Sequence, residues 1–308
     1  MTRKFGLPLM LVAALLMSTV AWAEDGTAGS TYLDVFGIGV GAAPSAMAAY
    51  TGAPGDLWSL TYNPAGLYNV ERVNVGVSVV DWIEDTNYNY LGLAMPAGSG
   101  AIGLGLAYFD LGGVPITDIH GTDTGETAEA DNVGVVAGYG TQWPNVCELS
   151  IGVSGHLIRG SLYEDSATAL GLNFGVLYSM MEEQFHLGAA VRNMGTKFKF
   201  DEEEDEQTMT FAGGLSYTPD LGDTPADILI GLDALMPKDR DMVVAVGGEV
   251  WLVDMLALRA GYKTGVEMGN LSFGAGFKIS DFQLDYTYTD HEDHGSSNRL
   301  SLAVGFGS

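Results

Sequence analysis

Leu170-Gly171-Leu172-Asn173-Phe174-Gly175-Val176-Leu177-Tyr178 alternates large apolar side chains with small or polar ones until its last turn of phase. Successive side chains of a strand point to opposite faces, so Leu170, Leu172, Phe174, Val176 and Tyr178 share one face and Gly171, Asn173 and Gly175 the other. The pattern recurs along the chain. Val73, Val75, Val77 and Val79 oppose Asn74, Gly76 and Ser78, and Phe282, Leu284, Tyr286 and Tyr288 oppose Gln283, Asp285 and Thr287. The final segment sets Leu300, Leu302, Val304 and Phe306 against Ser301, Ala303 and Gly305. One such segment fits a soluble sandwich as well as a membrane barrel. The number of segments and the lengths between them decide.

Alternation and turn residues together give about fourteen strands. Their cores are 72–82, 87–96, 101–110, 131–141, 147–159, 167–179, 185–194, 207–218, 226–235, 242–251, 256–263, 270–279, 282–290 and 299–307. Most reach the roughly 9–11 residues that a tilted strand needs to cross hydrocarbon, and an even number returns both ends of a closed barrel to one side. Alternate connections are brief: Pro96 to Gly100, Trp143 to Val146, Met180 to Gln184, Pro219 to Pro225, Leu252 to Met255 and Ser280-Asp281. The opposite set includes Leu111 to Ala130, Thr196 to Glu206 and Asp290 to Asn298, which are longer and more acidic. Short inner turns and long outer loops are the asymmetry of outer-membrane barrels. Tyr108, Tyr139, Tyr178, Tyr217 and Tyr262 lie near strand ends, where interfacial aromatic girdles form. Hydrocarbon satisfies no free N–H or C=O, so the sheet is expected to close on itself over residues 71–308.

The N-terminus agrees with that destination. Arg3 and Lys4 precede the apolar run Phe5 to Met17, and Ala21-Trp22-Ala23 supplies small residues before a cleavage after Ala23. Residues 1–23 therefore read as a signal peptide, with Glu24 starting the mature chain. No Cys stands near the cleavage site to anchor a lipid, and the single Cys147 allows no internal disulfide. No second apolar stretch approaches the roughly 18 residues of a membrane helix. The formal charge of −26 becomes about −28 without Arg3 and Lys4, which argues against nucleic acid as a partner.

Residues 24–70 do not read as membrane strands. Gly37-Ile38-Gly39-Val40-Gly41-Ala42 is glycine-rich, and Ala43 to Tyr50 suits one short helix. Asp56-Leu57-Trp58-Ser59-Leu60-Thr61-Tyr62 then leads into Asn63-Pro64-Ala65-Gly66-Leu67. The glycine run is not a dinucleotide fingerprint, because no βαβ unit follows it.

The stretch Gly41 to Leu67 resembles the PorV/PorQ family of outer-membrane proteins, related to the FadL-type long-chain fatty acid transporters. The resemblance rests on Ala46-Met47, Tyr50-Thr51, Asp56, Ser59 and the Asn63-Pro64-Ala65-Gly66-Leu67 motif. It implies a fourteen-stranded barrel whose N-terminal segment occupies the lumen as a plug, with Asn63, Pro64, Ala65 and Gly66 marking the junction to the first strand. Two departures are visible. The helix reads Ala48-Ala49-Tyr50 where the family often has Gly-Gly-Ala-Tyr, and the chain ends Gly305-Phe306-Gly307-Ser308 rather than on an aromatic residue.

Candidate chemistry is sparse. His291-Glu292-Asp293-His294 and Asp201-Glu202-Glu203-Glu204-Asp205 carry metal-ligating types, but neither has the spacing of a known site, so both read as solvated loops. No nucleophile elbow or Cys/His pair appears, and neither enzyme activity, cofactor nor metal is expected. By alternation Asp233, Glu249, Arg259 and Asp285 face the lumen from neighbouring strands, as a charge cluster that holds the plug or narrows the passage. The leading expectation is an outer-membrane barrel, surrounded by outer-membrane lipids, that admits hydrophobic or small molecules passively past a plugged lumen. The competing one is an interaction component of a protein secretion machine, the role of the PorV branch. A wide diffusive porin is disfavoured by the Gly- and Ala-rich inner face.

Overall fold

A computed structural model describes residues 35–308 apart from 84–85, 119, 147, 164, 201–202, 267–268, 292–294 and 308. The expected signal peptide, its expected cleavage after Ala23 and the first part of the lead-in segment fall outside the described residues. So does Cys147.

Sixteen strands follow one another: β1 (Val73–Asp81), β2 (Asn87–Ala97), β3 (Gly100–Thr117), β4 (Asp123–Gln142), β5 (Leu149–Leu162), β6 (Asp165–Met180), β7 (Phe185–Gly195), β8 (Phe198–Phe200), β9 (Glu203–Asp205), β10 (Thr210–Tyr217), β11 (Ala226–Pro237), β12 (Val243–Leu252), β13 (Leu256–Thr264), β14 (Leu271–Ile279), β15 (Phe282–Asp290) and β16 (Ser296–Phe306). Fourteen of them form one closed antiparallel barrel, in which β1 pairs with β16, while β8 and β9 make a separate small hairpin. Closure runs from Val73↔Phe306 to Asp81↔Asn298, and an Arg72–Asp281 ion pair of 2.6 Å sits beside it at the inner rim.

The alternation read from the sequence is the inside–outside alternation of this wall. Val77, Val79, Leu170, Leu172, Phe174, Phe282, Leu284, Tyr286 and Leu300 are exposed on the outer surface, although they would drive burial in a water-soluble sheet. The intervening Ser78, Asn173, Asp285 and Ser301 are buried inside. Such an apolar outer surface needs lipid around it. Tyr108, Tyr217 and Tyr262 are exposed as a girdle requires, but Tyr178 is only 3% exposed and does not belong to it.

Two connections differ from expectation. Leu111 to Ala130 is no loose loop, because β3 and β4 run past the membrane as a paired arm, through register shifts at Asp110/Gly113 and Pro115/Thr117. Gly112, Gly113 and the two register shifts interrupt its period, so hydrophobic alternation could not signal it. Pro115 lacks an N–H and sits where the ladder is already irregular. At the tip, the Asp118 carboxylate accepts from the N–H groups of His120 and Thr122. Thr196 to Glu206 likewise contains the β8–β9 hairpin, and Phe198 is fully buried against the lumenal core.

Residues 35–70 lie inside the barrel. They form α1 (Ala42–Met47), α2 (Ser59–Tyr62) and a 3-10 turn over Pro64–Asn69. Pro64 opens that turn where its missing N–H is harmless, and the Asn63 side chain caps it by accepting from Ala65 N–H. The helix foreseen at Ala43 to Tyr50 is shorter, because Ala48 at its C-cap adopts φ 61°.

Candidate functional site

The lumen and its plug are the site. Every stretch of the plug is fastened to a different part of the wall. Arg299 donates to the Gly39 carbonyl (2.6 Å), and Ala42 gives its N–H to Ser301 Oγ (3.0 Å) while accepting from Thr287 Oγ1 (2.6 Å). Ser272 donates to the Ala46 carbonyl (3.0 Å). Tyr50 and Thr51 both give their N–H to Asp233 Oδ2, at 2.9 and 2.7 Å. Ser216 donates to the Gly52 carbonyl (2.9 Å) and Ser154 to that of Leu60 (3.1 Å). Asn63 Nδ2 bridges the plug and the wall, donating to the carbonyls of Thr51 (2.8 Å) and Val176 (3.1 Å).

Between these anchors the wall is thinned to let plug backbone approach. A Cβ at Gly247 would lie 1.7 Å from the Met47 carbonyl oxygen, one at Gly188 2.1 Å from that of Thr51, and one at Gly175 2.0 Å from Asn63 Oδ1. Close backbone approach is a role only glycine fills. The small inner face is thus the imprint of the plug rather than the lining of an open pore. The motif residues act accordingly: Asn63, Pro64, Ala65 and Gly66 pack between the plug and β4, β5 and β6, and Asn63, Ala65 and Gly66 are all buried.

The four charges expected in one cluster divide into two groups. Arg259 pairs with Glu249 through Nε (2.5 Å) and with Asp285 through Nη1 (2.7 Å), and its guanidinium lies 5.4 Å from the Trp251 ring centre. Gln283 donates to the second Asp285 oxygen (2.8 Å). This is a wall-to-wall network across β12, β13 and β15. Asp233 makes its bonds elsewhere and serves as the plug anchor. The plug's own Asp56 accepts from Trp58 N–H (2.8 Å); confinement pushes its carboxyl up to about 6, with Asp285 and Glu249 adding to the rise.

Sequence reasoning missed Arg192 and Arg299. Arg192 donates to Thr51 Oγ1 (2.8 Å) and stacks over Tyr62 at 5.7 Å. The signal was the same inward phase that revealed Arg259. Of the loop residues, His291 accepts or donates to Ser297 Oγ at 2.8 Å and packs edge-on to Trp82. Glu292, Asp293, His294, Asp201 and Glu202 lie outside the described residues.

Toward the outer mouth the β1–β5 side of the lumen is apolar. Val80, Tyr88, Tyr90, Phe109, Val136 and Ile158 point inward from β1 to β5 and pack with Val35, Phe36 and Trp58 of the plug. Across the wall from Asn63 and Pro64, the outer surface carries a groove of about 310 Å³ lined by Tyr139, Ile151, Val153, Phe174 and Val176.

No family model matches the chain, and no curated protein matches it in sequence. Solved structures match it in fold. The toluene transporter TodX of P. putida has a TM-score of 0.60 at 12% identity, over 88% of this chain and 99% of that one. The CymD monoaromatic hydrocarbon channel has a TM-score of 0.62 at 12% identity, over 90% of this chain and 100% of that one. Both neighbours are FadL-like, which is the fold the resemblance implies; neither speaks for the PorV/PorQ branch. A closed fourteen-stranded barrel with an apolar outer belt is an outer-membrane protein.

Proposed function

We propose that the chain is a passive outer-membrane channel for hydrophobic small molecules, which it passes without chemical change. The carrying observation is the lumen's content. A water-filled porin presents a polar interior, whereas this lumen is occupied by a hydrogen-bonded plug with an apolar, ring-rich surface toward the outer mouth. Such a lining favours solutes that shed water readily and disfavours hydrated ions. The hydrocarbon cargo of the two structural neighbours supports the same solute class. No observation among the described residues favours the secretion-machine reading.

Uptake of radiolabelled toluene by intact cells with and without the barrel tests this, because an intact outer membrane resists hydrophobic solutes. A several-fold faster initial rate is expected, together with low ion conductance in planar bilayers. Correctly inserted barrel with no effect on toluene uptake, or large steady ion currents, refutes the proposal.

A further inference from the structure

The chain is acidic, with 39 Asp and Glu against 13 Lys and Arg, yet part of its lumen is the reverse. Arg192 projects inward from β7, Lys263 from β13 and Arg299 from β16. Lys263 and Asp233, the one carboxylate in the set, stand on either side of Ala245 in the strand register, and Lys263 lies within electrostatic reach of both arginines. Asp233 is already engaged through Oδ2 by two plug N–H groups. None of the three cations forms an ion pair among the described residues. Positive charge enclosed without a partner is costly, and a counter-charge from outside relieves it.

Fastening the plug accounts for part of this set. Arg299 holds the carbonyls of Gly39 and Ile38, and Arg192 holds Thr51 Oγ1, although its Nε stays buried with no partner. Lys263 holds nothing. It sits one residue before the outer end of β13, partly exposed, and its only described bond is a backbone one to Asn270. A plug anchor would touch the plug. Beside these cations stand aromatic rings: Tyr62 beneath Arg192, and Tyr50 edge-on to Tyr62 at 5.3 Å.

We propose that Arg192, Lys263 and Arg299 form a lumenal site for a small aromatic carboxylate, with Lys263 as the residue that selects the charge. The arene meets Tyr62, and the carboxylate supplies the counter-charge the cations lack. This inference rests on the uptake reading and adds aromatic anions to the neutral hydrocarbons it admits.

The test is calorimetric binding of benzoate, its neutral isostere benzamide, and octanoate to purified barrel in nanodiscs of zwitterionic lipid. Benzoate is expected to bind at least tenfold more tightly than benzamide. Lys263→Met should bring benzoate down to the benzamide level and leave benzamide unchanged, while Lys263→Arg retains benzoate. Folding of each variant is read from its heat-modifiable electrophoretic mobility; if Lys263→Met does not fold, Lys263→Gln replaces it. Equal affinity for benzoate and benzamide, indifference to the loss of Lys263, or binding of octanoate but not benzoate overturns the proposal. Toluene uptake by cells separates the two levels. If it persists while benzoate shows no preference, only this inference fails; if it is absent, the uptake reading itself fails.

Discussion

Replacing Asp233 with Leu should release the plug while leaving the barrel closed. Asp233 Oδ2 accepts two backbone N–H groups, Tyr50 at 2.9 Å and Thr51 at 2.7 Å, and it is the carboxylate nearest in charge to Arg192. Hydrogen bonds to a charged group contribute about 1.5–3 kcal/mol each, and the two amides are left buried without an acceptor. Docking of the middle of the plug should therefore weaken by about 3–6 kcal/mol, ignoring the further cost of uncovering Arg192. At about 1.4 kcal/mol per tenfold, amide exchange at Tyr50 and Thr51 should accelerate by roughly 10² to 10⁴. The β10–β11 and β11–β12 ladders on either side of residue 233 are backbone-paired and should keep their protection. Asp233→Asn retains one acceptor oxygen and should fall between. Hydrogen exchange on the detergent-solubilised barrel reads all of this. Unchanged protection of Tyr50 and Thr51 in Asp233→Leu, with a correctly folded barrel, refutes the anchoring argument.

Three further outcomes follow from neighbouring contacts. Gly247→Val places a Cβ 1.7 Å from the Met47 carbonyl oxygen, so α1 must leave its seat; ion conductance in planar bilayers should rise well above wild type, and an unchanged trace counts against a glycine-imprinted plug. Docking raises the Asp56 carboxyl from 3.8 to about 6, so it favours the protonated form. That stabilisation is complete below about pH 4 and disappears as pH rises through 6, at most about 3 kcal/mol in all. Plug amides, corrected for intrinsic rates, should exchange more slowly at pH 5 than at pH 7.5, and Asp56→Asn should flatten the difference; equal slopes in both proteins would show that another group titrates. Arg259→Ala strands Glu249 and Asp285 inside the wall and should destabilise the barrel by about 3–5 kcal/mol in urea unfolding. Arg259→Met with Glu249→Leu and Asp285→Leu should recover most of that loss, and failure to recover would mean the network does more than satisfy itself.

The barrel was legible because a membrane wall is simple to encode. Wherever one face of a strand meets lipid, as in β1, β6, β15 and β16, large apolar residues must recur every second position, and the boundaries read from that pattern differ from the observed ones by a few residues. Where glycines and register shifts interrupt the period the code disappears, which is why the outer arm of β3 and β4 looked like a loop. The plug was legible as a segment, through its glycines and the Asn63-Pro64-Ala65-Gly66 motif, but its seating was not. Alternation places Asp233 and Arg259 on the same inner face and contains nothing about which plug atoms lie above each. The same limit hid Arg192, Lys263 and Arg299, whose strands are separated in the chain and meet only across the closed lumen.

The glycines of the inner face carry a further consequence. At Gly152 and Gly175 the plug backbone and side chain press on the wall from within, at Pro64 and Asn63, while the same two residues underlie the apolar groove on the lipid side. Plug and lipid are there separated by a single layer of backbone. Asn63 also takes part in that layer, since its Nδ2 donates to the Val176 carbonyl, a group that belongs to a wall strand. The junction motif thus acts as a strut for the thinnest part of β5 and β6. Removing the plug would leave that part without side chains on its inner face. Wall and plug at this position stabilise each other, as they do where α1 rests on Gly247, Gly261 and Gly274 and is bonded through Ser272, Thr287 and Ser301.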